Sequence, residues 1–241
     1  MNVYPLSEGS FTVDKTKHFV PFNEKSDDLQ SRPAGSLLVE VQPFCIVTSK
    51  DILLLDTGMG FRNLAGKMQI HANLEAAGIE SGSITKVLLS HLHKDHAGGV
   101  SEEGNHAKLS FPHAKYYLQA KELAFAFSKG FPSFITEDLE ALKESSQVVL
   151  LDDKEGEIDE YIHYTVTGAH SPNHQVFHIK ENGEDIFFGG DDAPQLQQMK
   201  HRFVAKYDFD GKKAMELRRE WWQQNWTFLF YHDISTPIYK K

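Results

Sequence analysis

The chain has 241 residues, 40% apolar and 24% charged, enough for one large domain or two small ones around a sizeable core. Acids outnumber bases 34 to 25, and a formal charge of −9 argues against non-specific nucleic-acid binding, which needs basic surface to displace counterions. The single cysteine, Cys45, rules out a disulfide framework or a thiolate zinc site within one chain, whereas 13 histidines make imidazole chemistry the first question.

Met1 to Glu8 carries neither the basic nor the apolar region of a secretory signal. No apolar run approaches the ~20 residues that span a bilayer. The expectation is a cytoplasmic protein with no membrane partner. No linker, repeat or low-complexity tract divides the chain, so residues 1–241 are expected to form a single domain. Asn23 to Pro33 is polar and reads as a surface loop. Leu37–Val41, Phe44–Thr48 and Ile52–Asp56 follow as strands, and their breaks at Pro43 and Lys50-Asp51 suggest hairpins. Ile70 to Ala77 has helical periodicity and stops at Gly78, a suitable C′ glycine. Thr85–Ser90 is a short buried strand, and Lys115–Leu118 is another, running into a helix from Gln119 through Phe127. Glu137 to Lys143 is a second helix, capped by Thr136. Strands are then expected at Val148–Leu151, Tyr161–Thr167, Gln175–Lys180 and Asp185–Gly189. A helix over Gly211 to Gln224 and a strand over Trp226 to His232 close the chain. Strand groups interrupted by helices, in two comparable halves, indicate a layered α/β fold.

Chemistry gathers where strands end. His91-Leu92-His93-Lys94-Asp95-His96-Ala97-Gly98-Gly99 leaves the Thr85–Ser90 strand. Four donors fall within six residues there, and imidazole nitrogens and carboxylate oxygens are what zinc accepts. In extended chain His91 and His93 share a face, while a turn at Lys94 lets Asp95 and His96 face a second position. Three later strand ends add to this: His170 after Thr167-Gly168-Ala169, the pair Asp191-Asp192 after Phe188-Gly189-Gly190, and His232 after Tyr231. An acid or imidazole at the end of a buried strand is costly unless it is paired or metal-bound. His174, four residues after His170, reads either as a partner that stabilises its own turn or as a substrate contact. Leu123–Phe127 and Phe131–Phe134 read as core, with a pocket wall or subunit contact as rivals. Lys212-Lys213 and Arg218-Arg219 read as a solvated helix face. One of the adjacent Trp221 and Trp222 is expected to be half exposed.

The motif HLHKDHAGG at 91–99, with Leu53-Leu54-Leu55-Asp56-Thr57-Gly58-Met59-Gly60 before it, resembles the metallo-β-lactamase-fold superfamily of binuclear metallohydrolases. The resemblance runs from Leu37 to His232. It implies an αββα sandwich, two mixed β-sheets with helices on their outer faces, and metals at one edge. It also implies that His91, His93 and His170 ligate a first ion, that Asp95, His96 and His232 ligate a second, and that Asp191 bridges the two. Asp192 is the rival for the bridge. Asp56 would orient ligands through hydrogen bonds. Two divalent ions are implied, zinc by donor set, with manganese, iron or cobalt also suited. A hydroxide between them would be the nucleophile, with Asp95 either carrying a proton to the leaving oxygen or acting purely as a ligand.

Departures from family patterns select a branch. His93 and the lack of a flavin domain separate the chain from flavodiiron-type oxidoreductases. Asp191 separates it from true β-lactamases, and the apparently full donor set from mono-iron persulfide dioxygenases. The nine residues after His232 are too few for the C-terminal helical extension of glyoxalase-type thioesterases. Nuclease branches carry basic arms or extra domains. What remains resembles the compact lactonase and esterase branch, including N-acyl homoserine lactonases, acting on a small ester or lactone. Those lactonases place a tyrosine three residues after the bridging aspartate. Pro194 stands there in this chain, leaving Tyr231 or Tyr207 as substitutes. Phosphodiesterase or nuclease chemistry on the same site is the alternative, followed by a thioesterase or a non-catalytic metal-binding protein. The partner expected is a small-molecule substrate, with a second copy of the chain as a further candidate.

Overall fold

The computed structural model describes residues 1–102 and 105–241. Two six-stranded mixed sheets face each other. The first runs, in spatial order, Asn2–Pro5, Phe44–Val47, Ile52–Leu55, Lys86–Leu88, Lys115–Gln119 and Val148–Leu151. The second runs Glu155–Ile158, Ile162–Val166, Gln175–Glu181, Glu184–Phe188, Thr227–Leu229 and Ile238–Lys240.

Side chains on a strand alternate between faces, and that alternation builds the layers. Phe44, Ile46, Leu53 and Leu55 point inward against Ile162, Phe177, Ile186 and Phe188, filling the space between the sheets. Cys45 and Leu54 point the other way, onto Ile70 and Leu74 of the helix Gln69–Ala76 and the apolar face of Ala120–Lys129. On the outer face of the second sheet, Val176, Phe187 and Phe228 pack against Leu196, Met199 and the tryptophans near the helix Gly211–Trp221. The result is the αββα sandwich. No helix among the described residues is long and apolar enough to cross a membrane.

Several elements differ from the sequence-based expectation. Leu37–Val41 does not form a hairpin with Phe44–Val47. It pairs antiparallel with Gly9–Val13, which also pairs with Phe19–Phe22, making a separate three-stranded sheet. Pro43 supplies no ladder N–H, and the chain changes sheets there, with the Pro43 carbonyl accepting from Leu6 N at 2.8 Å. The expected helix over Glu137 to Lys143 is confined to Ala141–Glu144. Upstream, Asp138, Leu139 and Glu140 bond to carbonyls three residues back. Such tight turns eclipse Leu139 and Leu142, three apart, on one buried face. The last helix starts from Asp210, whose carboxylate accepts from Lys213 N at 3.0 Å, and stops at Trp221, short of Gln224. Arg218 is not on a solvated face: it is 1% exposed. Trp221 and Trp222 are both half-buried. Of the aromatic stretch, Leu123, Ala126 and Phe134 are core, while Phe131 is 78% exposed.

Candidate metal centre

All the strand-end residues singled out by sequence converge at one edge of the sandwich. The first sheet contributes the segment after Lys86–Leu88: Ser90 to His93, then a single helical turn, Lys94–Ala97, that turns Asp95 and His96 back. The second sheet contributes His170 after Ile162–Val166, Asp191 after Glu184–Phe188, and His232 after Thr227–Leu229. The glycine at 99 lets this turn lie on the neighbouring segment: a Cβ there would sit 2.2 Å from the Thr57 carbonyl oxygen. Thr57 N in turn donates to the His96 carbonyl at 2.7 Å.

The donor atoms fall into two groups: His91, His93, His170 and Asp191, and Asp95, His96 and His232. In the first, His93 Nδ1 lies 2.9 Å from His91 Nε2 and 3.1 Å from His170 Nε2. In the second, His96 Nε2 and His232 Nε2 are 3.4 Å apart, each within 3.7 Å of Asp95 Oδ2. Asp191 stands between them. Its Oδ2 is 3.2 Å from His170 Nε2, and its Oδ1 is 2.9 Å from His232 Nε2 and 3.0 Å from His96 Nε2. Asp191 Oδ1 is buried without a properly aligned hydrogen-bond donor. Converging ring nitrogens and an unsatisfied buried carboxylate oxygen fit divalent cations at this place. Asp192, the rival acid, is turned away: its Oδ1 accepts from His170 N at 2.7 Å and its Oδ2 meets His174 Nδ1 at 3.0 Å. His174 is fully buried, and its Nε2 accepts from Asp191 N at 3.2 Å. It therefore holds the Asp191-Asp192 turn rather than reaching the cavity.

The far nitrogens of the rings are held as well. Asp56 Oδ2 takes His96 Nδ1 at 2.8 Å, and the same carboxylate accepts from Ser90 N and Ser90 Oγ, both at 2.7 Å. Those three bonds hold Asp56 at φ 56°, a left-handed corner that costs a non-glycine residue about 1–2 kcal/mol. Ser90 Oγ also lies 3.0 Å from His91 Nδ1. The Glu40 carbonyl takes His232 Nδ1 at 2.6 Å, and Asp208 Oδ1 takes His170 Nδ1 at 2.9 Å. With Nδ1 engaged, the Nε2 atom of each of these rings faces the site. Ser90 and Asp208 were not singled out by sequence. Asp208 lies in an irregular stretch with no strand-end signature. It reaches His170 because Phe209 N and Asp210 N donate to the carbonyls of His170 and Ala169 at 3.0 and 2.8 Å. Arg218 secures the same stretch, donating to the carbonyls of Asp192 at 2.9 Å and Phe203 at 2.7 Å.

Burial and the neighbouring imidazoles hold the pKa of His91 and His93 well below the ordinary value, leaving neutral rings able to donate lone pairs. Burial also opposes charge on His96, but Asp191 and Asp95 outweigh it and carry its pKa up. Burial would raise Asp191, yet the surrounding His232, His96 and His170 hold it well below the carboxylate range.

A cavity of about 680 Å³ opens over these donors. Val13, Phe19, Leu37, Val39, Phe203 and Val204 wall it, and His93, Asp95, Asp191 and His232 lie at its floor. Pro194 and Tyr207 line it too. Burial pushes the Tyr207 hydroxyl up to about 12, so it stays a donor at neutral pH. Tyr231 is committed elsewhere: its hydroxyl donates to the Asp95 carbonyl at 2.6 Å and its ring stacks on His96 at 4.0 Å.

Histidine and aspartate groups that could hold metal ions thus gather at the edge of an αββα sandwich. Residues 39–218, most of the chain, match the Metallo-beta-lactamase superfamily, and the chain belongs to it. No curated protein sequence matches. Among solved structures, the chain is similar to a probable metal-dependent hydrolase from Staphylococcus aureus. That match has 22% identity and a TM-score of 0.78, covering 99% of this chain and 91% of the other. It is also similar to AidC, a dizinc quorum-quenching lactonase in complex with a product, at 18% identity, TM-score 0.75, and 99% and 89% coverage. A quorum-quenching N-acyl homoserine lactone lactonase matches at 22% identity, TM-score 0.69, and 96% and 92% coverage.

Proposed function

We propose that this chain is a binuclear metal-dependent hydrolase of a small ester or lactone. The observation that carries it is the split of Asp191, whose two carboxylate oxygens serve different groups of ring nitrogens. His91 Nε2, His93 Nδ1 and His170 Nε2 would hold one ion, and His96, His232 and Asp95 the other, with Asp191 common to both. The all-nitrogen and oxygen donor set suits zinc, and also manganese, iron or cobalt. When bound, such ions supply Lewis acidity and lower the pKa of water to about 7.

The chain's own residues do the rest. Asp95 lies both in the donor cluster and at the cavity floor, which suits it to pass a proton to the leaving oxygen as well as to ligate. Tyr207, protonated and on the cavity wall, is placed to donate to the substrate in the role that Pro194 leaves open. The apolar walls exclude water and accept an acyl chain. Cys45, a lone buried thiol, suits a cytoplasmic setting. The lactonases among the structural neighbours support the ester or lactone class.

The test combines metal analysis with a panel of homoserine lactones, aryl esters and bis-aryl phosphates, using His93→Ala as control. Two ions per chain and ester or lactone turnover that collapses in His93→Ala are expected. Turnover unchanged in that variant would sink the proposal, and turnover of the phosphates alone would favour phosphodiesterase chemistry.

A further inference from the structure

The cavity holds more positive charge than its protein predicts. The chain as a whole is acidic, yet Lys15, Lys17, Lys94 and Lys206 all line this one opening. Four lysines elsewhere, Lys67, Lys86, Lys108 and Lys143, each pair with a carboxylate. Among the described residues, none of the four at the cavity does so. The carboxylate at the rim, Asp14, is occupied by its own turn, accepting from Thr16 N at 2.9 Å and Thr16 Oγ1 at 2.6 Å. Asp95 and Asp191 are buried among the histidines at the floor.

Lys17 and Lys94 are the inner, half-buried pair. Lys94 Nζ lies 5.7 Å from the Phe19 ring centroid and 5.9 Å from that of Phe131. Lys17 Nζ lies 5.9 Å from the Tyr207 ring centroid. Lys17 also sits at φ 60°, in a turn closed by its N–H on the Asp14 carbonyl at 3.0 Å. Glycine or asparagine would take that corner at lower cost. This left-handed corner sets the Lys17 ammonium at the cavity wall. Aromatic faces stabilise the two ammoniums without neutralising them.

We propose that the substrate of this site is an amphiphile with an anionic oxygen group, carboxylate or phosphate, held by Lys17 and Lys94. Its apolar chain lies on Val13, Phe19, Leu37 and Val204 and leads to the ester or lactone at the floor. The proposal rests on the hydrolase reading above and narrows it to substrates that carry an anionic group.

Two esters with the same six-carbon acyl chain test it on the zinc-loaded protein: 4-nitrophenyl hexanoate, and mono-4-nitrophenyl adipate with a terminal carboxylate. The ratio of kcat/KM, anionic over neutral, is expected to exceed about tenfold, the size of one charge-assisted contact. It should fall by about that factor in Lys17→Gln and in Lys94→Gln, and in salt of about 0.5 M, where charges are screened within a few ångströms. Lys213→Gln, on the outer helix, should leave it unchanged. Lys94 lies between donors of the cluster, so Lys17→Gln decides the matter alone if Lys94→Gln does not fold. A wild-type ratio at or below one, or one insensitive to Lys17, overturns the proposal. If neither ester is cleaved, aryl-ester turnover is refuted and the hydrolase reading stands or falls on the homoserine lactones. Calorimetry with hexanoate, hexyl phosphate and hexanol then reads the anion site. Binding of either anion that weakens in Lys17→Gln supports it, and the tighter anion identifies the group. Binding equal in both proteins overturns it.

Discussion

On the proposed two-ion reading, Asp208→Ala should weaken one site and spare the other. Asp208 Oδ1 lies 2.9 Å from His170 Nδ1, and the two side chains are 1% and 3% exposed. Removing the carboxylate frees the imidazole to rotate and to place its proton on either nitrogen. A hydrogen bond to a charged group contributes about 1.5–3 kcal/mol, so the His170 site should lose about 10–100-fold in metal affinity. Asp208→Asn keeps an oxygen that can accept the same N–H, and should lose only part of that. The mirror variant is Asp56→Ala. It removes the partner of His96 Nδ1 at 2.8 Å and should weaken the other group, His96 with Asp95 and His232. Competition between metal-depleted protein and a chromophoric zinc chelator resolves the two binding steps. Each variant should shift one step, and the double variant both. Two wild-type steps in Asp208→Ala, or the same step shifted by both single variants, would refute the assignment of His170 and His96 to different ions.

Other perturbations follow from the same geometry. Gly99→Ala drives a Cβ to within 2.2 Å of the Thr57 carbonyl, so the 91–99 segment must move; loss of at least one bound ion, measured by metal analysis, is expected even if the chain folds. Arg218→Met leaves the Asp192 and Phe203 carbonyls without their donor, costing about 1–3 kcal/mol in urea unfolding. At the opposite end of the strands, burial disfavours ionised Asp51, but hydrogen bonds from Lys86, Tyr161 and Thr85 outweigh it and lower its pKa. Its contribution is therefore present above the unfolded value of about 3.9 and is lost as pH falls through the lower folded value. Asp51→Asn should lower the urea midpoint at neutral pH and flatten its decline in acid; an unchanged acid slope would contradict this.

The donors most legible in sequence were those whose geometry is local. His91, His93, Asp95 and His96 sit within one strand-end turn, so spacing alone placed them. His170, Asp191 and His232 carried a weaker signal, an ionisable group after an apolar run, that only their convergence makes meaningful. Spacing could not separate Asp191 from Asp192, because adjacent residues in a turn point apart and the direction is set by His174, which bonds the Asp192 carboxylate and the Asp191 N–H. Asp208 was invisible: its role arises from the pairing of 209–210 with 169–170, a contact between irregular segments. Several of the strands missed were peripheral. Asn2–Pro5, Glu155–Ile158 and Ile238–Lys240 are sheet edges, where half the ladder and one apolar face are absent and alternation fades. The lysines around the cavity were individually unremarkable in sequence. They come together from the 13–19 turn, the 94 turn and the 203–207 stretch, which are distant along the chain.

Each group of donors draws on both sheets: His91 and His93 from the first with His170 and Asp191 from the second, and Asp95 and His96 with His232. An ion at either place would therefore act as a cross-link between the two halves of the chain, closing loops from His91 to His170 and from His96 to His232. Cross-links over long loops restrict the unfolded chain most, and loop-closure entropy grows only slowly with length. Metal occupancy and cohesion of the halves would then be one equilibrium. The seam where catalysis is proposed is also where the sandwich would begin to come apart when the ions are withdrawn.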